Sequence, residues 1–254
     1  MPEPARESSH ADSVDAAEVA RFAALAERWW DAEGPLKALH ALNPARLAFV
    51  RDRIAAAHNR DPRGERPLAG LALLDIGCGG GLLCEPLARL GATVTGIDAA
   101  GENVDVARRH ARASGLAIAY RQASAETLAA EGVIFDAVLA MEVIEHVADI
   151  DSFLAAACAL TRPGGLVLMA TINRTPQSFA LAIVGAEYVL RWLERGTHDW
   201  RRFVRPAELA RGLRKRGVAL REVAGLRYNP LRDVWSLSDN VSVNYLAFGV
   251  REER

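Results

Sequence analysis

The chain has 254 residues, half of them hydrophobic and a quarter charged, which is enough apolar material for a sizeable core in the ordinary globular range. Its formal net charge of -1 offers no overall attraction to a polyanion, so nucleic-acid binding would need a local basic patch. Cys78, Cys84 and Cys158 are odd in number and form no C-x-x-C pair, which argues against a disulfide framework or zinc knuckle and for a reducing, cytoplasmic setting.

The first residues carry acidic side chains and no apolar core, unlike a secretory signal, and 1–20 is expected to be a disordered tail. Residues 21–66 are expected to form an N-terminal helical extension, since "AAEVARFAALAERWWDAEG" and "NPARLAFVRDRIAAAH" both space apolar residues as helices do. Asn43 followed by Pro44 reads as an N-cap and first helical position, which starts the second helix near Ala45 and puts Arg46 in its first turn. A guanidinium at a helix N-terminus is suited to an anion. "NRDPRGERPLAG" is a linker by its Pro, Gly and charge.

From 67 to 254 the pattern becomes regular. "LALLDIG", "TVTGID", "AIAYRQA", "FDAVLAM" and "GLVLMAT" read as strands, with "ENVDVARRHARASG" and "IDSFLAAACALT" as intervening helices. Such alternation predicts an α/β fold with a doubly wound, mainly parallel sheet covered on both faces. An insertion at 174–205, carrying its own helix, interrupts the pattern before "PAELARGLRKRG". Two last strand-like runs, "VALREVAGLRYNP" and "NVSVNYLAFGVREE", are expected to close the sheet as an antiparallel pair.

"LLDIGCGGGLL" sets a glycine-rich turn between the first strand and a helix, where open parallel sheets bind nucleotides. A dinucleotide fingerprint fails, because the position of its third glycine falls on Leu82, and no Gly-Lys-Ser/Thr follows as in a P-loop. What stands instead is D-x-G-x-G-x-G from Asp75 to Gly81, with Asp98 closing the second strand. Glycines let the backbone approach a ligand, and a carboxylate can accept from both hydroxyls of a ribose. "MEVIEH", from Met141 to His146, packs two carboxylates and an imidazole together. In a helix, Glu142, Glu145 and His146 share one face, a pattern that suits a hard metal, proton transfer, or plain solvated surface.

The glycine loop with Asp98 resembles the Rossmann-like class I S-adenosylmethionine-dependent methyltransferases, a seven-stranded fold with an antiparallel last strand. That likeness implies that Gly77, Gly79 and Asp98 bind the cofactor. It also places Met141 at the adenine, where a polarisable thioether suits an aromatic ring, with Ala125 and Glu126 of "ASAETL" on the other side. Outside these motifs, "RWWDAEGPLKALHALNPARL", "MEVIEHV", "VGAEYVLR", "GTHDW" and "YNP…VNY", spread from about Phe22 to Tyr245, resemble the ubiquinone-biosynthesis O-methyltransferases. The resemblance implies methyl transfer to polyprenylated catechols and phenols, and a meeting of the Arg46 guanidinium with the cofactor's methionine carboxylate. A catechol chelates a divalent cation, which makes its hydroxyl a better nucleophile, so Glu142, Glu145 and His146 become ligands for magnesium or a similar ion. His198 is a candidate further ligand or base, and no catalytic residue is singled out.

The expected partners are the polyprenylated substrate, an anionic membrane surface and other ubiquinone-biosynthesis enzymes, with no nucleic acid. "SFALAIVGAEYVLRWL", 178–193, is apolar yet shorter than the roughly 20 residues of a span, and Glu187 and Arg191 interrupt it. With Trp192, Trp200, Arg195, Arg201, Arg202 and Arg205 nearby, it reads as a lid touching the membrane, which places the protein peripherally on the inner membrane. An RNA ribose O-methyltransferase and a non-catalytic S-adenosylmethionine-binding sensor or assembly subunit are the alternatives.

Overall fold

The apolar runs that alternate with helices pair in parallel, as right-handed crossovers require. In a computed structural model that describes residues 13–181, 199–229, 231–232 and 234–253, β1 (Ala72–Ile76) lies between β2 (Thr93–Asp98) and β4 (Phe135–Met141). Outside them pair β3 (Ala119–Gln122) and β5 (Thr161–Ile172). The final runs pair antiparallel: β8 (Asn244–Arg251) joins β5, and β6 (Val218–Asn229) joins β8. A further strand, β7 (Val234–Ser238), extends the edge against β6, so the described sheet has eight strands in the order 3-2-1-4-5-8-6-7. The seven-stranded sheet that the resemblance implies is thus extended by one edge strand.

Strand order reverses between β1 and β4, which opens a crevice at the carboxyl ends of these strands. Successive strand residues serve opposite faces. Leu73, Leu139 and Leu168 face a cluster completed by α2 (Lys37–Ala57), α3 (Cys84–Arg89) and α4 (Gly101–Ala113). Leu74, Val138 and Val167 face one completed by α6 (Ile150–Leu160) and α7 (Pro206–Arg214), with α5 (Ala125–Ala130) alongside. Tyr245 of β8, fully buried, donates from its hydroxyl to the Val204 carbonyl at 3.0 Å and so ties the sheet to the chain leaving the insertion.

The N-terminal part departs from expectation in two ways. Helix α1 (Ala16–Ala23) starts inside the stretch expected to be a tail, because Asp15 caps it by accepting from the backbone N–H of Ala17 and Glu18. The Ser13 carbonyl also accepts from the Ala148 N–H at 2.7 Å, which anchors the helix to the loop after β4. Helix α2 runs from Lys37 to Ala57 with Pro44 in its interior, so Asn43 is no cap and Arg46 is not in a first turn. An interior proline costs about 3 kcal/mol. Burial of Leu42 before it and of Phe49, Val50 and Ile54 after it, at roughly 1.5–3 kcal/mol each, offsets that cost. The Asn43 amide instead donates to the Leu82 carbonyl at 2.8 Å, which pins the helix to the end of the glycine loop.

Candidate active site

The glycine loop leaves β1 at Ile76 and turns through left-handed backbone at Gly77 (φ 70°) and Gly79 (φ 53°), which only glycine adopts without strain. Space matters as much as conformation. A Cβ on Gly77 would lie 2.6 Å from a methyl of Val143, and one on Gly79 would lie 2.3 Å from the ring of Trp29. The side-chain space given up by these glycines is therefore filled by the protein itself. The loop closes on Asp98, whose Oδ2 accepts from the Gly79 N–H at 2.9 Å, while Oδ1 accepts from the Ala100 N–H at 2.9 Å and the Asn103 amide at 3.2 Å. Burial pushes the Asp98 carboxyl up, and these donors pull it back. Of about four acceptor positions on a carboxylate, this leaves one on Oδ2 for a ligand hydroxyl.

Arg46 is buried at the other end of the crevice, and its guanidinium forms an ion pair with Glu142 through Nη2. Its Nε is buried without a hydrogen-bond partner among the described residues. A buried guanidinium with an idle donor suits a carboxylate, the chemistry that a methionine moiety offers. Met141 ends β4 and is buried in the α2 face of the core, at the carboxyl edge of the sheet. Ala125 and Glu126 begin α5, and both carboxylate oxygens of Glu126 are buried without a hydrogen-bond partner among the described residues. These open donors and acceptors fit S-adenosylmethionine.

The segment from Met141 to His146 is not a helix. The strand ends at Met141, Glu142 takes left-handed backbone (φ 52°), and Ile144–His146 forms one 3-10 turn. The shared face inferred from i, i+3 and i+4 spacing is therefore absent, and each side chain has its own neighbours. Glu142 meets Arg46. Glu145 accepts from the Thr171 hydroxyl at 2.9 Å through Oε2 and keeps Oε1 buried without a hydrogen-bond partner among the described residues. His146 lies 2.9 Å from the Glu18 carboxylate through Nδ1 and meets the Phe22 ring edge-on. Among the described residues no three His, Cys, Asp or Glu side chains are grouped as a metal site. The three groups still share one electrostatic environment. Burial pushes the Glu142 carboxyl up to about 7, against the pull of Arg46, with the charge of Glu145 adding to the rise.

Sequence reasoning missed Trp29, Asn103, Val143 and Glu18. The paired tryptophans of "RWWD" were the visible signal for the first of these. His198, Glu187, Arg191, Trp192, Arg195 and most of the expected inserted helix lie outside the described residues.

A crevice at the strand-order reversal, floored by a glycine loop and closed by an acid at the end of the second strand, is the cofactor site of one class of transferase. The model of a methyltransferase domain family matches residues 74–169. Two solved structures agree in fold. The magnesium protoporphyrin IX methyltransferase of Synechocystis PCC 6803 with bound S-adenosylmethionine has a TM-score of 0.62 at 18% identity, over 92% of this chain and 97% of that one. A methyltransferase in complex with the Haloferax volcanii Trm112 activator has a TM-score of 0.60 at 18% identity, over 91% and 97%. The protein is a class I S-adenosylmethionine-dependent methyltransferase.

Sequence relatives narrow the class. The ubiquinone biosynthesis O-methyltransferase of Methylobacterium sp. (strain 4-46) is 56% identical over 92% of this chain and 94% of its own. Those of Brucella anthropi and Paramagnetospirillum magneticum are 54% and 53% identical, over 94% and 95% of this chain and 96% and 97% of theirs. The chain belongs to the ubiquinone biosynthesis O-methyltransferase family.

Proposed function

We propose that this chain transfers the methyl group of S-adenosylmethionine to a hydroxyl of polyprenylated catechol and phenol intermediates of ubiquinone synthesis, 2-polyprenyl-6-hydroxyphenol and 3-demethylubiquinol. The observation that carries the reading is identity above one half to relatives of that name across more than nine tenths of both chains. Bound S-adenosylmethionine supplies a methyl activated on a sulfonium. The chain's own part is placement: Asp98 accepts from the ribose, Gly77 and Gly79 bring the backbone against the cofactor, Met141 meets the adenine and Arg46 turns its idle donor to the methionine carboxylate. What is left for the pocket is to align the attacking oxygen and exclude water. Transfer of labelled methyl to a short-chain polyprenyl catechol by the purified protein tests the reading. Cofactor binding without transfer would instead mark a sensor or assembly subunit.

Two finer parts of the proposal concern metal and membrane. Glu142, Glu145 and His146 would hold a divalent cation, magnesium first, and what supports this is the open buried oxygen of Glu145 and the charge coupling of the trio. Held there, such an ion would supply Lewis-acid chemistry that lowers the proton affinity of a catechol hydroxyl. Contact with an anionic membrane would run through Arg201 and Arg205, which are exposed, whereas Arg202 is held by Asp15 at 2.8 Å. No helix of the described residues is long and apolar enough to cross a membrane. The exposed arginines are what supports a peripheral place at the cytoplasmic side of the inner membrane, within reach of other ubiquinone-biosynthesis enzymes.

A further inference from the structure

The cofactor acid is held by a relay that begins in the N-terminal extension. Trp29, buried between α1 and α2, donates from its indole Nε1 to Oδ1 of Asn103 at 2.8 Å. Asn103, itself 1% exposed in the first turn of α4, donates from Nδ2 to Oδ1 of Asp98 at 3.2 Å. The direction of this chain is set by chemistry. A carboxamide has nearly the same shape with its oxygen and nitrogen exchanged, so packing alone cannot decide which end faces Asp98. The indole N–H can only donate, so it compels the amide oxygen to face Trp29 and the NH2 to face the carboxylate. With the amide reversed, a carbonyl oxygen would be turned on a buried carboxylate oxygen and the acid would lose a donor.

The same tryptophan also seats the loop that supplies another donor to Asp98. Its ring fills the space where Gly79 and Gly80 lack side chains, with ideal Cβ positions 2.3 Å and 2.4 Å from ring or Cβ atoms. The neighbouring Trp30 donates from Nε1 to the Gly80 carbonyl at 3.0 Å and stacks on His110. Ala26, Trp29, Leu36, Leu82 and Val106 form a small apolar cluster of their own around this contact.

We propose that Trp29 and Asn103 are positioning residues that orient Asp98 for the ribose of S-adenosylmethionine, so that the N-terminal extension is a working part of the cofactor site. The inference rests on the reading of Asp98 as the ribose acceptor, and the test separates the two. It compares calorimetric affinities for S-adenosylhomocysteine and for its 2′,3′-dideoxyribose analogue in the full chain. Loss of hydroxyl donors to a charged acceptor should weaken wild-type binding on the order of tenfold or more.

Trp29→Phe keeps a ring beside Gly80 but removes the donor together with the benzo edge that covers Gly79, and Asn103→Ala removes the relay while leaving Trp29 in place. Each variant should bind S-adenosylhomocysteine more weakly and the dideoxy analogue almost as wild type does, so that the preference for the diol falls below about threefold. A merely structural role would weaken both ligands alike. If the preference persists in the variants, the relay is overturned and Asp98 stands. If wild type shows no preference, the ribose reading fails first, and the relay with it. Either variant decides the matter where the other is too unstable to measure.

Discussion

Asp75, the first residue of the glycine motif, is fully buried, and one neutral donor, the Cys84 thiol, lies 3.2 Å from its Oδ2. Burial pushes its carboxyl up to about 7, with the thiol and the more distant Arg46 pulling the other way. The folded state thus holds the proton more tightly than the unfolded chain. The stability this contributes is fully present below about pH 4 and is lost as the pH rises through about 7. Asp75→Asn, which imitates the protonated acid, should gain stability relative to wild type as the pH climbs across that window and hold a constant gain above it. Urea unfolding at pH 4, 5.5, 7 and 8 measures the difference, and a gain that grows toward acid pH would contradict it. Asp98→Ala removes the proposed ribose acceptor and should weaken S-adenosylmethionine binding by about 2–4 kcal/mol in a desolvated site. Unchanged affinity in a folded variant would remove Asp98 from the site. Glu145→Gln keeps the bond from Thr171 but not the charge, so it should raise the magnesium concentration needed for methyl transfer while leaving cofactor affinity alone. Full wild-type activity in excess chelator would instead make Glu145 a pocket wall.

Among the elements, the loop after β1 shows most directly how packing fixes a motif. Gly79 combines left-handed backbone with a tryptophan ring where a side chain would stand. Gly79→Ala therefore incurs both backbone strain and displacement of Trp29, and should lose more than about 1 kcal/mol of stability together with cofactor affinity. A variant as stable as wild type in denaturant titration would mean that the Trp29 roof is loose. The turn after β4 is a second case. Ile144 is fully buried in the α6 face of the core, and Glu145 is drawn inward to Thr171. A helix through these positions would keep both carboxylates and the imidazole on one face. The strand end and turn send them instead to α2, β5 and α1.

At the scale of the molecule, the N-terminal extension and the chain leaving the insertion converge on the crevice from outside the sheet. Helix α1 reaches both, through Glu18 to His146 and through its cap Asp15 to Arg202. If the insertion's cationic end meets the bilayer, the protein should sediment with anionic liposomes at low salt, and Arg201→Glu with Arg205→Glu should release it. These two are the informative positions because both are exposed, whereas a change at Arg202 would also break its pair with Asp15. Sedimentation that ignores lipid charge and salt would remove the membrane from the proposal.

The sequence alone determined the parallel half of the sheet and the glycine turn after its first strand. Both are local or periodic properties: buried strands alternating with helices allow few topologies, and a glycine turn between the first strand and its helix marks the crevice wherever the rest of the chain goes. The glycine turn at Gly77 and Gly79 and the strand-end acid Asp98 were legible for that reason, whereas Met141 came only through the resemblance to the methyltransferases. Arg46 was singled out by the resemblance and by a helix start that does not exist, since the burial of Leu42 and Phe49 carries α2 straight through Pro44. Tertiary structure decided the rest. Trp29 and Asn103 are 74 positions apart, and Glu18 and His146 are 128 apart, and no spacing rule connects residues at such distances. Their meeting depends on how the extension folds back over the glycine loop, and there burial and hydrogen-bond direction, rather than periodicity, select the partners.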